Sequence, residues 1–291
     1  MSKIAIITDS NSGITQNEAK ELGIIVVAMP FTIDGEEFLE DITLSQEQFY
    51  EKMLSGGQVK TSQPSPETIM ELWNKTLEEY DEIVHIPMSS GLSGACQTAL
   101  MLSEDYDGKV AVVDNQRISV TQKSSVFDAM KLAKKGLSAA EIRDKLMEDK
   151  FESSIYIMMD TLSYLKTGGR LTGAVAALGT LLKIKPVLQI QGEKLDAFSV
   201  ARTHNQAKNI MMNQIAKDFT NRFKVPEDGE GMRVFVAYTY NRDAAEIFFE
   251  EIKERFPKAK VEYMDALSLS VSCHIGPGAL AIACARDSFA E

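Results

Sequence analysis

Short apolar runs alternate with stretches of helical periodicity through the first half of this chain, and no other feature restricts the fold as strongly. Residues 4–8 form an apolar run that ends in Asp9-Ser10-Asn11-Ser12-Gly13. Thr15-x-x-Glu18 then opens a helix as a capping box, and Gly23 closes it. Residues 24–29 read as a second strand, and Asp34-Gly35, between residues 32–33 and 36–39, reads as a hairpin turn. Ser45-x-x-Gln48 starts a helix that stops at Gly56-Gly57. In the loop Lys60-Thr61-Ser62-Gln63-Pro64-Ser65-Pro66, the last two residues suit the N-cap and first position of a helix running to Tyr80. Strands at 82–86 and 109–113 flank a helix at 95–103, and two helices fill 119–150, the second opened by Ser138-x-x-Glu141. This alternation predicts an α/β fold with a mostly parallel sheet and helices on both its faces.

After about residue 155 the pattern changes. Residues 155–159 read as a strand and 171–182 as a charge-free helical stretch, while 187–190 and 197–200 flank Gly192 as a hairpin. A long helix from His204 to Phe223, a strand at 233–238, a helix at 243–255 and strands near 261–264 and 279–285 complete a mixed α/β half. At roughly 100–200 residues per domain, a chain of 291 residues divides into two, which we place at 1–155 and 156–291.

Charge narrows the partners. Lys and Arg number 31 against 42 Asp and Glu, a balance of −11. Nucleic-acid binding depends on clustered cations, so a nucleic acid is not expected as the main partner. Hydrophobic residues at 44% and charged residues at 25% fit an ordinary globular protein. The opening residues lack the apolar run and cleavage site of a secretory signal, and no stretch reaches the ~18 apolar residues that span a bilayer. Cys96, Cys273 and Cys284 have neither an even count nor zinc-type spacing, so reduced thiols and a cytoplasmic location are expected.

Ser89-Ser90-Gly91-Leu92-Ser93-Gly94, set between a strand and a helix, gives the strongest local signal. Free amides at a helix start, small side chains and hydroxyls together suit an anionic oxygen, although the same residues serve an ordinary N-capped turn. Thr61-Ser62-Gln63-Pro64-Ser65 is a second hydroxyl-rich loop. Ligands in open α/β sheets settle beyond the carboxyl ends of the strands. Asp9-Ser10, loop 89–94 and Asp114-Asn115-Gln116 all follow strands and should form one rim. Arg170, beside Gly168-Gly169, is a candidate counter-ion; the bland alternative is a solvated arginine at a helix end. His274 lies among small and apolar residues and needs a partner if buried. His85, inside a strand, reads as a core histidine, and His204, at a helix start, as an exposed one. No histidine pair has metal-ligand spacing, so no metal and no cofactor are expected.

Several motifs fail. Gly108-Lys109-Val110 is not a phosphate loop, and Gly276-x-Gly278-x-x-Ala281 lies too near the end to open a dinucleotide-binding unit. Gly91-x-Ser93-x-Ala95 falls one residue short of a nucleophile elbow, and the later order Asp265…His274 keeps a serine hydrolase using Ser93 and His274 as the alternative.

Thr8-Asp9-Ser10, Thr61-Ser62-Gln63-Pro64-Ser65, Ser89-Ser90-Gly91-Leu92-Ser93-Gly94, Gly168-Gly169-Arg170 and His274-Ile275-Gly276-Pro277-Gly278 occur in the order and spacing of the DegV family, which the chain resembles over nearly its whole length. The resemblance implies two α/β domains with a lipid pocket between them. It also implies the role of the fatty-acid-binding subunit (FakB type) of a bacterial fatty acid kinase in phospholipid metabolism. On that reading the ligand is a long-chain fatty acid and the partner a separate ATP-using kinase subunit, with transient membrane-surface contact left open and no catalysis by this chain alone. Thr61 and Ser93 match the hydroxyls that hold the carboxylate, with Ser62 and Gly94 beside them. Arg170 and His274 match basic residues near the head group, and Arg202 matches an arginine linked to engaging the kinase. The acyl tail's length and unsaturation lie outside these motifs.

Overall fold

A computed structural model describes residues 2–170, 172–177 and 184–290. Its internal contacts divide the chain into two units. One comprises residues 1–150 together with 268–270, and the other 151–267 together with 271–290.

The first unit is built on a parallel sheet. Strands β1 (Ile4–Asp9), β2 (Ile25–Val27), β6 (Glu82–Ile86) and β7 (Val110–Val112) run in the order β2-β1-β6-β7, every pair parallel. Helices α1 (Gln16–Leu22), α3 (Pro66–Thr76), α4 (Ala95–Ser103), α5 (Ser119–Lys134) and α6 (Ala139–Glu148) form the connections the alternation predicts. A core of Ala5, Ile7, Ile83, Val110 and Val112 packs with Ile69, Trp73, Cys96 and Ala99 of α3 and α4. The fully buried Trp73 ring meets His85 and Tyr106 edge-on, at 5.6 and 5.2 Å between centroids.

Local signals fix many of the helix starts. Ser65 Oγ accepts from Thr68 N at 3.1 Å, with Pro66 first in the helix. Both bonds of the capping box form at Ser45 of α2 (Gln46–Leu54) and at Ser138 of α6. At α1 Thr15 Oγ1 accepts from Glu18 N, but the Glu18 carboxylate reaches instead to Lys123 Nζ, 2.8 Å away. A buried ammonium gains more from a carboxylate than a backbone amide does, so the long-range partner wins.

Where the sequence predicts only a loop around Lys60, the structure has a strand, β5 (Val59–Thr61). It pairs antiparallel with β3 (Pro30–Ile33), Thr61 opposite Phe31, while β4 (Glu36–Leu39) pairs on β3's other edge through the Asp34-Gly35 turn. Three residues carry too little apolar pattern to announce a strand, and their partners lie 26 to 30 positions away. The helix expected to reach Tyr80 ends at Thr76.

The second unit carries a mixed sheet ordered β10-β9-β8-β13-β11-β12. Its strands are β8 (Ser153–Met158), β9 (Lys185–Ile190), β10 (Leu195–Ala201), β11 (Met232–Tyr238), β12 (Lys260–Ala266) and β13 (Leu280–Arg286). Only β11 and β12 pair in parallel; the other neighbours are antiparallel, as the hairpin around Gly192 foreshadows. Helices α9 (His204–Asn221) and α10 (Arg242–Arg255) cover it over a core of Met211, Ile215, Phe219, Val234, Phe248 and Ile282. Short helices α7 (Ser163–Thr167) and α11 (Leu269–Ile275) were not expected from periodicity, since neither has two full turns. Of the charge-free stretch 171–182, the described part holds one turn, α8 (Gly173–Ala176), capped by Thr172 Oγ1 accepting from Val175 N at 3.3 Å; Gly179 and its neighbours lie outside the described residues.

Candidate functional site

In the first unit the loops predicted to form one rim are tied together at the carboxyl ends of the parallel strands. Asp9, which ends β1, accepts from Met88 N through Oδ2 at 2.8 Å, and from Asn11 N and Gln122 Nε2 through Oδ1, each at 3.0 Å. Asp114, beyond β7, accepts from Ser90 N at 3.2 Å. Ser89 N donates to Arg117 O at 3.0 Å, and the buried Arg117 guanidinium is itself fixed by Asp149 at 2.7 Å. Loop 89–94 is therefore held from both flanking strand ends. The amides of residues 88–93 are thereby spent on protein acceptors, which leaves the loop's side-chain hydroxyls and the start of α4 as its groups for a ligand.

The second hydroxyl loop reaches the same place. Ser62 N donates to Pro30 O, anchoring the end of β5, and Gln63 Nε2 donates to Thr98 Oγ1 of α4 at 3.1 Å. Gly94, at the start of α4, lies so close that a Cβ there would stand 3.1 Å from Gln63 Oε1. The structure thus brings loop 61–65 and loop 89–94 together at the N-terminus of α4, where first-turn amides lack intrahelical partners. Thr61 and Ser93 are half-buried, while Ser62 and Gly94 are exposed. Ser93 Oγ accepts from Ala95 N at 3.2 Å, a turn bond one residue ahead of the N-cap Gly94, which has no side-chain cap of its own.

A narrow slot with only about 10 Å3 of free space, room for a single water, lies beside these loops. Pro64, Ala95 and Thr98 line it from the loop side, Val27, Met29 and Ile69 give it an apolar wall, and His85 and Asp9 line it from the strands. Burial raises the pKa of Asp9, against the pull of its hydrogen bonds from Met88, Gln122 and Asn11.

A buried polar cluster adjoins the β1 loop and was not foreseen. Glu40 accepts from Ser10 Oγ at 2.7 Å and from the Leu269 amide, and Asn11 Oδ1 accepts from Ser268 Oγ at 3.1 Å and Ser270 Oγ at 2.7 Å. Burial pushes the Glu40 carboxyl up to about 7, with the Asp9 charge adding to the rise and the Ser10 and Leu269 donors opposing it. Nothing in the residues around Glu40 signals this, because its partners lie 30 and 229 positions away.

In the second unit Gly168, Arg170 and His274 come together. A Cβ on Gly168 would lie 2.0 Å from His274 Nδ1, so only glycine lets the ring sit there. Arg170 N donates to Leu165 O and its Nη1 to Gly168 O at 3.1 Å, which wraps the arginine around the turn after α7. Burial, reinforced by the Arg170 charge, lowers His274 to about 4. The resemblance implied two basic residues here; at neutral pH His274 is an uncharged donor and acceptor, and Arg170 alone carries charge. Arg202 is exposed in the turn between β10 and α9, its amide donating to Gln206 Oε1 at 2.8 Å. His204 is exposed and bonds Asp160 Oδ1 at 2.8 Å, whereas His85 is 2% exposed within β6, as each position suggested. No group of three metal-ligating side chains occurs among the described residues.

A family model described as "Uncharacterised protein, DegV family" matches residues 3–287. A DegV domain-containing protein of Clostridium acetobutylicum is 32% identical over 287 residues, covering 96% of each chain. A solved structure described as fatty acid binding of a DegV family protein from Thermus thermophilus is similar at 27% identity and a TM-score of 0.87, covering 98% of this chain and 99% of that one. Another, of DegV, a fatty acid binding protein from Bacillus subtilis, has 27% identity and a TM-score of 0.86, covering 99% and 100%. With motifs, fold and full-length likeness in agreement, this chain belongs to the DegV family.

Proposed function

We propose that this protein binds a long-chain fatty acid and presents its carboxylate to a separate ATP-using kinase subunit, acting as a carrier of substrate rather than as a catalyst. The observation that carries the reading is the meeting of two hydroxyl loops, through Gln63, Gly94 and Thr98, at a helix N-terminus. The likeness to DegV structures described as fatty-acid-binding supports it.

The chemistry divides between tail and head. A sixteen-carbon tail, at about 0.8 kcal/mol per buried methylene, offers on the order of 10 kcal/mol before ordering costs. The carboxylate adds orientation: stripped of water it needs donors, and Thr61, Ser62, Ser93 and the Gly94 end of α4 supply hydroxyls and amides. Arg170 and His274 are proposed as further head-group residues, one giving charge and the other a neutral hydrogen-bonding ring. Arg202, exposed and outside the hydroxyl loops, is proposed to contact the kinase in the cytoplasm. Ser93 Oγ is hydrogen-bonded by the Ala95 amide rather than by a histidine that could take its proton, so a fluorophosphonate probe should leave it unlabelled.

Native mass spectrometry of the protein expressed in bacteria should show a co-purified fatty acid. Thr61→Ala and Ser93→Ala should each weaken its retention roughly tenfold, the scale of one hydrogen bond to a charged group. A ligand-free spectrum from gentle preparation, with no uptake of added palmitic or oleic acid, refutes the binding role. With a purified partner kinase and ATP, Arg202→Ala should cut acyl-phosphate formation while leaving lipid retention intact; equal loss of both removes Arg202 from the partner contact.

A further inference from the structure

We propose that Asp160 is a positioning residue: it holds the turn between β10 and α9 so that Arg202 stands in place to meet the kinase subunit. The inference rests on the partner role given to Arg202 above and names what sets that side chain where it is.

Arg202 has little of its own to hold it. It is exposed, and among the described residues its guanidinium has neither a hydrogen bond nor an ion pair. Its amide donates to Gln206 Oε1 at 2.8 Å, and Thr203 Oγ1 accepts from Gln206 N at 3.2 Å. Both bonds are local. They fasten the turn to the first turn of α9 and to nothing beyond it.

Asp160 supplies the longer tie. Its Oδ1 accepts from Lys185 Nζ at 2.7 Å and from His204 Nε2 at 2.8 Å. Lys185 opens β9 and stands across the sheet from Ala201, the residue before Arg202. His204 opens α9, two residues after Arg202. One carboxylate oxygen therefore grips both sides of the turn. Burial alone would raise the Asp160 carboxyl, but the bonds from Lys185 and His204 outweigh it and hold it below its ordinary value, so it is charged at neutral pH. Its own place is fixed as well. Met159 N donates to Pro186 O at 3.0 Å just before it, and a Cβ on Gly278 would stand 2.7 Å from its Oδ2, so loop 276–278 closes the space on that side. Partly exposed ion pairs add little to folding. What two of them on one oxygen can do is restrict a turn, and a contact residue restricted beforehand costs less to bind.

The test uses the full-length protein loaded with palmitic acid, a purified partner kinase and ATP, and reads acyl-phosphate formation against the concentration of loaded protein. Asp160→Ala should raise KM for the loaded protein about three- to tenfold, the cost of ordering a contact side chain or two, with kcat and palmitate retention unchanged. In an Arg202→Ala background the same change should add nothing, because both act through one contact. Hydrogen exchange should quicken several-fold in the peptide covering residues 200–206 and stay as it was in β11 and β13. An unaltered KM, or a loss that adds in full to that of Arg202→Ala, overturns the proposal and leaves the partner role of Arg202 standing. Unchanged exchange in the turn has the same meaning. If Arg202→Ala itself alters neither KM nor kcat, the partner reading fails and this inference falls with it. Should Asp160→Ala melt below the assay temperature, Lys185→Met and His204→Leu, each releasing one arm of the clamp, decide in its place, and a normal KM in both defeats the assignment.

Discussion

Burial drives Glu40 and His274 in opposite directions, and the two should mark opposite ends of the pH-stability curve. Glu40 rises from 4.5 to about 7, so the folded state holds its proton more tightly than the unfolded chain does. Its contribution is whole below pH 4.5 and is lost as pH climbs through 7, a difference of about 3 kcal/mol. Glu40→Gln removes the buried charge and should raise the melting temperature at pH 8 while changing it little at pH 5; melts at the two pH values that show the reverse contradict the assignment. His274 falls from 6.5 to about 4, so its contribution is whole above 6.5 and drains away on acidification toward 4. Its seat depends on Gly168. Gly168→Ala forces a methyl to within 2.0 Å of Nδ1 and should cost about 1–3 kcal/mol in urea unfolding. Adding His274→Ala should recover most of that loss, because the two changes share one contact. Additive losses would show that the ring is not what the methyl meets.

Among the elements, the N-terminus of α4 depends on a tie that crosses from the other loop. Gln63→Ala deletes the bond to Thr98 and frees loop 61–65 from Gly94. Being exposed, the pair adds under about 1 kcal/mol to stability, so the melting point should hardly move while fatty-acid affinity drops several-fold in titration. A large fall in melting temperature with unchanged affinity would make Gln63 structural only. How much of this was legible follows from range in sequence. Ser45, Ser65 and Ser138 cap helices through bonds three residues long, and all three stand in the sequence as motifs. The parallel sheet was legible from alternation, and so was the placing of Asp9 and Asp114 after strands. Strand β5, the diversion of Glu18 to Lys123 and the burial of Glu40 depend on partners 26 to 229 residues away, and no local pattern encodes them. Arg170 and His274 read as basic from their motifs, but the burial and shared surroundings that keep the imidazole neutral show only once the Gly168 turn is folded against the ring.

For the whole molecule, the net charge of −11 and the two separate cores set the terms on which it can be handled. The two units do not divide at a single cut, since residues 268–270 belong with the first. Those three residues supply Glu40 with the Leu269 amide and Asn11 with two serine hydroxyls. Anyone who truncates the gene after codon 150 to obtain the first unit therefore removes donors from a sealed carboxylate at the same stroke. Such a fragment should melt earlier than its intact counterpart and do worse as the buffer turns alkaline. A synthetic peptide spanning the excised serine-leucine-serine stretch, or its grafting onto the new terminus, is the repair this polar cluster calls for.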